Sequence, residues 1–389
     1  MPLTDLVTDP VHPLAAVTHA APYDYYRRLA EGPPLRYEAR LDGWLATGVA
    51  GVQAVLGHPA CRVRPLGLAV PHNLAGTPCG AIFAELVRMN DGARHAVPKQ
   101  VLARALGQVD LARLHGQALQ IAGDHVPRCA AQLNHALFEL PLFAMADLLG
   151  FAPAQWPALA AWTRAFVACL SPLSNGEQLA GAQEAADALL QGFTVLLREG
   201  DALPGSLLAK VVAEADGVGG GVLANLVGLL SQTCDATAGL LGNAVVALRA
   251  QPALSTQLRA SPQLWPAMLR EVSRHDPSIH STRRYTADDV AFDGVLVPQG
   301  QMIVVLLASA CHDASVHAAP GRFALQRPML SLPGFGHGRH ACPGQSIAQA
   351  IATACLQAWA GALEGLPLAW TYLPSLNARI PVFMEGASA

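Results

Sequence analysis

The side chains best equipped for chemistry are concentrated in ten consecutive positions, Phe335-Gly336-His337-Gly338-Arg339-His340-Ala341-Cys342-Pro343-Gly344. Glycines in this run let the backbone turn sharply and approach something flat and bulky. Cys342 stands just ahead of a helical stretch, where backbone N–H groups and the helix dipole favour thiolate over thiol. A thiolate held in this way suits axial ligation of haem iron. Two other readings stay open on these residues alone. Cys342 can be a small apolar side chain packed in a loop, and His337, His340 and Cys342 are close enough in sequence for zinc, although no partner cluster completes a set of four ligands.

Charged residues elsewhere need partners of their own. Glu271 and Arg274 are three apart, so on a helix they face each other. Buried, such a pair must be satisfied on every side; exposed, it contributes little. The stretch Gly217–Leu248 is apolar nearly all round, and its polar residues gather at Ser231–Asp235 and Thr237. The eight cysteines contain no C-x-x-C pair and read as reduced thiols.

The elements that position these residues follow from composition and periodicity. Of 389 residues 52% are hydrophobic and 14% charged, so the chain can bury a large core and is not disordered. The net charge of -3 and the absence of any basic run argue against a nucleic-acid partner. Apolar runs such as Val222–Leu230 reach about half a membrane span, and the opening residues have no leader pattern. The expectation is a cytoplasmic chain without a membrane partner. Leu35–Glu38 and Trp44–Thr47 predict a hairpin around Asp42-Gly43, followed by a helix over Val49–Leu56 and a long loop from Arg62 to Pro78. Alanine and leucine at helical spacing predict helices over Leu106–Ala122, Ala130–Leu149, Leu159–Leu170, Glu177–Leu197 and Leu258–His275. Short strands are expected at Asp289–Phe292 and Met302–Leu307 with Pro298-Gln299-Gly300 turning between them, and a last helix at Gln345–Leu363.

The loop fits F-x-x-G-x-x-x-C-x-G at every fixed position and resembles the haem-binding loop of cytochromes P-450. The resemblance implies haem b as cofactor, Cys342 as proximal iron ligand, Phe335 beside the sulfur, Gly336 and Gly344 shaping the loop, and His340 at a haem propionate. Glu271 and Arg274 resemble the family's E-x-x-R, with Arg322 in Pro320-Gly321-Arg322-Phe323 as third partner. His95 and Lys99 resemble its propionate-binding H-x-x-x-R with Lys for Arg, and Arg284, with Arg283 as fallback, resembles a further propionate ligand. The implied fold is mainly α with a small β region, one domain over 1–389: β-richer to about residue 80, a helical core to about 275, and the haem-loop region beyond.

The chain departs from the family over the distal site. Gln232-Thr233-Cys234-Asp235-Ala236-Thr237 keeps the acid as Asp235, replaces the usual small pair with Gln232 and Thr233, and has Ala236 where the oxygen-activating Thr belongs. Thr233 lies one turn before Ala236 and could present the missing hydroxyl, or it could simply bond back to a helix carbonyl. Gln232 could reach a distal water or the substrate. His312-Asp313 replaces the common Arg-Asp and reads as structural. By resemblance Arg62–Pro78, Phe166–Ser174, Val227–Leu230 and Ile279–Ser281 line the substrate, with His72, Asn73 and His280 as polar exceptions. The implied function is that of a monomeric, bacterial-type monooxygenase acting on a medium-sized, largely hydrophobic compound, free or bound to a carrier protein. A ferredoxin or flavodoxin-like donor would supply electrons near Arg339. Ala236 keeps open a peroxide-dependent or non-oxygenase reaction, and a non-catalytic haem sensor is the reading from another class.

Overall fold

The computed structural model describes residues 9–198, 205–215, 217, 219–328 and 332–386; the first eight residues, on which part of the leader reading rests, lie outside them. In chain order the earlier helices are α1 (Tyr23–Glu31), α2 (Gly48–Gly57), α3 (Pro78–Glu85), α4 (Ala93–Gly107), α5 (Leu111–Asp124), α6 (Ala130–Leu149) and α7 (Trp156–Val167). The later ones are α8 (Gly176–Arg198), α9 (Leu207–Glu214), α10 (Gly220–Ala250), α11 (Pro252–Ala260), α12 (Trp265–His275), α13 (Leu307–Cys311) and α14 (Gln345–Gly365). The strands are β1 (Leu35–Glu38), β2 (Gly43–Ala46), β3 (Cys61–Arg62), β4 (Thr282–Thr286), β5 (Val290–Phe292), β6 (Val295–Val297), β7 (Met302–Val305), β8 (Leu368–Tyr372) and β9 (Pro381–Glu385). This is the mainly α architecture with a small β region. The contacts separate it into two compact units, each discontinuous in sequence: residues to 66 with 242–342 and 367 onward, and residues 67–241 with 343–366.

The first unit is built on a five-stranded sheet in the order β1-β2-β7-β4-β3. β1 and β2 pair antiparallel from Leu35↔Ala46 to Glu38↔Gly43, and Asp42 supplies the left-handed residue of the connection at φ 44°. Period-two alternation sorts the side chains of central β7. Ile303 and Val305 pack with Ala46, Val52 and Leu56, whereas Val304 packs on the other face with Leu45 and Tyr26. Asp313 fastens the start of α2 by accepting the amide of Val49 at 2.8 Å, while Ser309 Oγ accepts that of Gly48 at 3.0 Å. His312 is buried, bonds the carbonyl of His275 at 2.8 Å and stacks on Tyr23, a packing role.

The second unit is helical. α14 runs along α5, where Trp359 Nε1 donates to the Ala122 carbonyl at 3.3 Å. Among the described residues α14 is the one helix long and apolar enough to cross a membrane, and half of its most apolar stretch is buried inside the fold.

Several expected boundaries move. The helix expected over Leu106–Ala122 is two, because Asp110 caps the start of α5 by accepting the amides of Ala112 and Arg113. Leu258–His275 is also two, interrupted where Pro262 and Pro266 each start a new helical turn. The turn in the β5–β6 hairpin lies at Asp293-Gly294, both at positive φ, and not at Pro298-Gln299-Gly300. β7 leaves that hairpin and joins the main sheet instead.

Candidate active site

In the first unit, the segment 335–342 folds into a closed loop. The amide of Cys342 donates to the Phe335 carbonyl at 2.8 Å, and that of Ala341 donates to Gly338 at 3.0 Å. Gly336 has φ 78°, and a Cβ there would lie 3.2 Å from the His340 carbonyl, so glycine is required. Phe335 and His340 are half-buried and His337 is exposed. Cys342 is exposed, whereas Cys61, Cys79, Cys169, Cys234, Cys311 and Cys355 are buried. This separates the one accessible loop thiol from the cysteines that pack as apolar side chains. Gly344 caps α14 three positions before the buried Ile347.

Arg339 has a structural role as well. Its guanidinium donates to the carbonyls of His58 and Cys61 at 3.0 and 2.8 Å, which ties the loop to the end of α2 and to β3. The side chain therefore fastens the loop while keeping its charge. Arg284 is buried on β4, donating to Thr282 Oγ1 at 3.3 Å and the Arg283 carbonyl at 2.8 Å. Arg283 itself is half-buried.

Glu271 and Arg274 form a bidentate pair at 2.7 and 3.0 Å, both essentially sealed from solvent. Arg274 also donates to the carbonyls of Cys311, Pro320 and Arg322. Glu271 accepts the amide of Ala324 at 2.9 Å and Nε of Arg327 at 3.4 Å. Arg322 therefore takes part through its backbone, and the third side chain is Arg327. The reason is directional: Arg322 points its carbonyl inward, where both Arg274 and Arg327 bond it, and leaves its side chain exposed.

In the second unit, His95 is buried on α4 and Lys99 lies one turn further along the same face, half-buried. On α10, Gln232 is exposed and its Nε2 donates to the Gly228 carbonyl at 3.0 Å. Thr233 Oγ1 donates to the Leu229 carbonyl at 2.8 Å, so its proton is committed to the helix. Burial holds the Asp235 carboxyl above the usual carboxylate range, against the bond from the Cys234 thiol and the opposing charges of Arg88 and Arg164. Thr237 is buried.

The expected substrate contacts are mostly core. Phe166, Val227 and Leu230 are fully packed, and His72 and Asn73 are exposed on a turn. His280, in the first unit, is buried with its Nδ1 2.7 Å from Tyr26 Oη, and burial keeps it neutral. Among the described residues no three His, Cys, Asp or Glu side chains assemble as a metal set, so the zinc reading finds no support. Sequence reasoning passed over Arg88. Its signal was an arginine inside the otherwise apolar Leu86-Val87-Arg88-Met89.

An accessible thiol ahead of a helix, in a loop whose tightest turn excludes a side chain, fits a thiolate-ligated haem. A buried Arg284 fits its carboxylates. Comparison with known proteins agrees with this chemistry. The family profile "Cytochrome P450" matches residues 244–358. Cytochrome P-450 107B1 of Saccharopolyspora erythraea is 26% identical over 349 residues, covering 84% of each chain. Cytochrome P-450 monooxygenase PikC of Streptomyces venezuelae is 28% identical over 359 residues, covering 87% of this chain and 83% of that protein. Among solved structures, P450BioI in complex with hexadec-9Z-enoic acid ligated acyl carrier protein matches with a TM-score of 0.81 at 20% identity, covering 93% of this chain and 96% of that one. The chain is thus similar to cytochromes P-450, and the relatives it matches include a named monooxygenase.

Proposed function

We propose that this chain inserts one oxygen atom from O2 into a medium-sized, largely hydrophobic small molecule, with haem b as cofactor and a ferredoxin or flavodoxin-like protein as electron donor. The observation that carries the proposal is the closed loop presenting Cys342 as an accessible thiol immediately ahead of α14. When bound, the haem supplies the oxidising chemistry: with two electrons and two protons, one atom of O2 enters the substrate and the other leaves as water.

The chain's own residues bind, orient and hold protons. Cys342 is assigned to the iron, its backbone fixed by the Phe335 carbonyl. Within the first unit Arg284 and His340 are assigned to propionate binding, where cations replace lost hydration; within the second, His95 and Lys99 resemble the family's propionate-binding H-x-x-x-R. Lys99 offers a point charge where an arginine would offer a fork. Asp235 carries the proton-holding role, because burial lets it keep a proton at higher pH than a solvated carboxylate.

One observation favours a second reading. Ala236 has no hydroxyl and the Thr233 proton is bound to Leu229, so neither residue donates from the position where the family places its threonine. A peroxide-driven reaction needs no such delivery. The test is the absorption spectrum of the reduced, carbon monoxide-treated protein, in wild type and Cys342→His. A strongly red-shifted Soret band in the wild type alone is expected. A histidine-type band in the wild type, or failure to bind haem, overturns the assignment. Turnover with reductant and O2 supports the first reading; turnover with peroxide alone supports the second.

A further inference from the structure

The single turn Val87–Met89, directly after α3, carries Arg88 into the second unit beside the fully buried Leu86. Its Nε is sealed from solvent without a hydrogen-bond partner, while other parts of the residue keep some accessible surface. No hydrogen bond or ion pair joins its guanidinium to a described residue. Folds seldom keep a buried polar group unpartnered, because desolvation is left uncompensated. Arginine keeps its charge under such conditions, so it cannot escape by deprotonating. The neighbouring groups that act on it electrostatically are Asp235 and Cys169, neither within ion-pair distance.

What would satisfy Arg88 is an acceptor that arrives from outside the fold. A planar fork of donors matches a carboxylate bidentately. The setting, with Phe83, Leu86 and Val87 buried around the start of the turn, suits an apolar body behind that carboxylate. We propose that Arg88 anchors the carboxylate of an apolar monocarboxylic acid, which names the substrate class and rests on the monooxygenase reading above. Asp235 is the member of the proton-holding site that senses Arg88, and this sets the carboxylate on the substrate side rather than among the residues assigned to the propionates, His95 and Lys99. A carboxylate beside Asp235 is tolerated because Asp235 already leans toward its neutral form.

The experiment uses haem-loaded, full-length protein and matched acid and alcohol probes: dodecanoic acid with dodecanol, and phenylbutyric acid with phenylbutanol. Binding is read from the Soret band shift. In the wild type the acid of a pair is expected to bind roughly 10- to 100-fold more tightly than its alcohol, the range for a hydrogen bond to a charged group. Arg88→Gln should erase that preference while haem content and the carbon monoxide band stay unchanged, and Arg88→Lys should keep part of it. Equal binding of acid and alcohol, no band shift with either acid, or a preference that survives Arg88→Gln overturns the proposal. So does loss of haem in Arg88→Gln, which would give the carboxylate to the cofactor itself. The acid-to-alcohol comparison in the wild type needs no variant to fold. A wild type that binds no haem would instead defeat the underlying function.

Discussion

Thr233 and Asp235 lie two residues apart on α10 and are held in opposite ways. Thr233 gives its proton to a carbonyl of its own helix, whereas Asp235 is pressed by burial toward its protonated form. The first should be nearly silent: Thr233→Val is expected to change peroxide released per reductant consumed by less than about twofold, since a packing methyl replaces a hydroxyl already bonded to the backbone. A large rise in peroxide would restore Thr233 as the delivering hydroxyl. Asp235→Asn should cut coupled turnover by roughly 100-fold or more, the scale of a lost acid–base group. Its effect on stability carries the opposite sign. A carboxyl with a raised folded pKa binds more protons folded than unfolded between its two pKa values, so its contribution falls as pH rises through that window. Asp235→Asn should therefore unfold at an equal or higher temperature than wild type at pH 7, with the gap narrowing toward the unfolded carboxyl pKa of about 3.9. At this scale the sequence names the positions through type and spacing. It does not reveal that Thr233 bonds backward or that Arg88 lacks a partner, because both depend on side-chain direction and on neighbours far away in the chain.

At the scale of elements, the knot around Glu271 shows how a loop is held without regular structure. One guanidinium on α12 gathers carbonyls from Cys311, Pro320 and Arg322, and Glu271 takes an amide and a second arginine in return. Removing one partner from a buried charge network leaves the remainder unpaired. Arg327→Ala should cost about 1–3 kcal/mol in urea unfolding, while Arg322→Ala, which leaves the carbonyl in place, should stay within about 0.5 kcal/mol. The reverse ranking would return Arg322 to the role first expected of it. Periodicity was sufficient for α6, α8 and α14, whose apolar faces are long. It failed where a cap or a proline overruled it, at Asp110 and at Pro262, and where the Asp293-Gly294 turn competed with Pro298-Gln299-Gly300. The sheet order was out of reach, since strand neighbours such as β2 and β7 are about 260 residues apart.

For the whole molecule, the response to acid is set by histidines that the fold keeps neutral. Burial lowers the pKa of His275, His280, His312 and His317, and that of His312 reaches about 3. Below the unfolded value of about 6.5 the denatured chain takes up protons that the native one refuses, so stability falls as pH drops from there toward the folded values. Each fully refusing histidine contributes a slope of up to about 1.4 kcal/mol per pH unit. The urea midpoint should therefore decline clearly between pH 7.5 and 5.5, against the milder opposite trend of Asp235. A midpoint that stays level over that range would mean these histidines titrate freely.

The contacts of Arg339 with His58 and Cys61, together with Gly338 lying against the end of α2, have a consequence in solution. They join the segment assigned to the cofactor to residues 56–62, to which no cofactor role is assigned. A ligand that favours the native loop raises the free energy of any opening that disturbs it, and that increase spreads to whatever opens with it. Loading the apoprotein should slow deuterium uptake at residues 56–62 as well as at 335–342, so the thin edge strand β3 would report by mass spectrometry how much of the population carries haem.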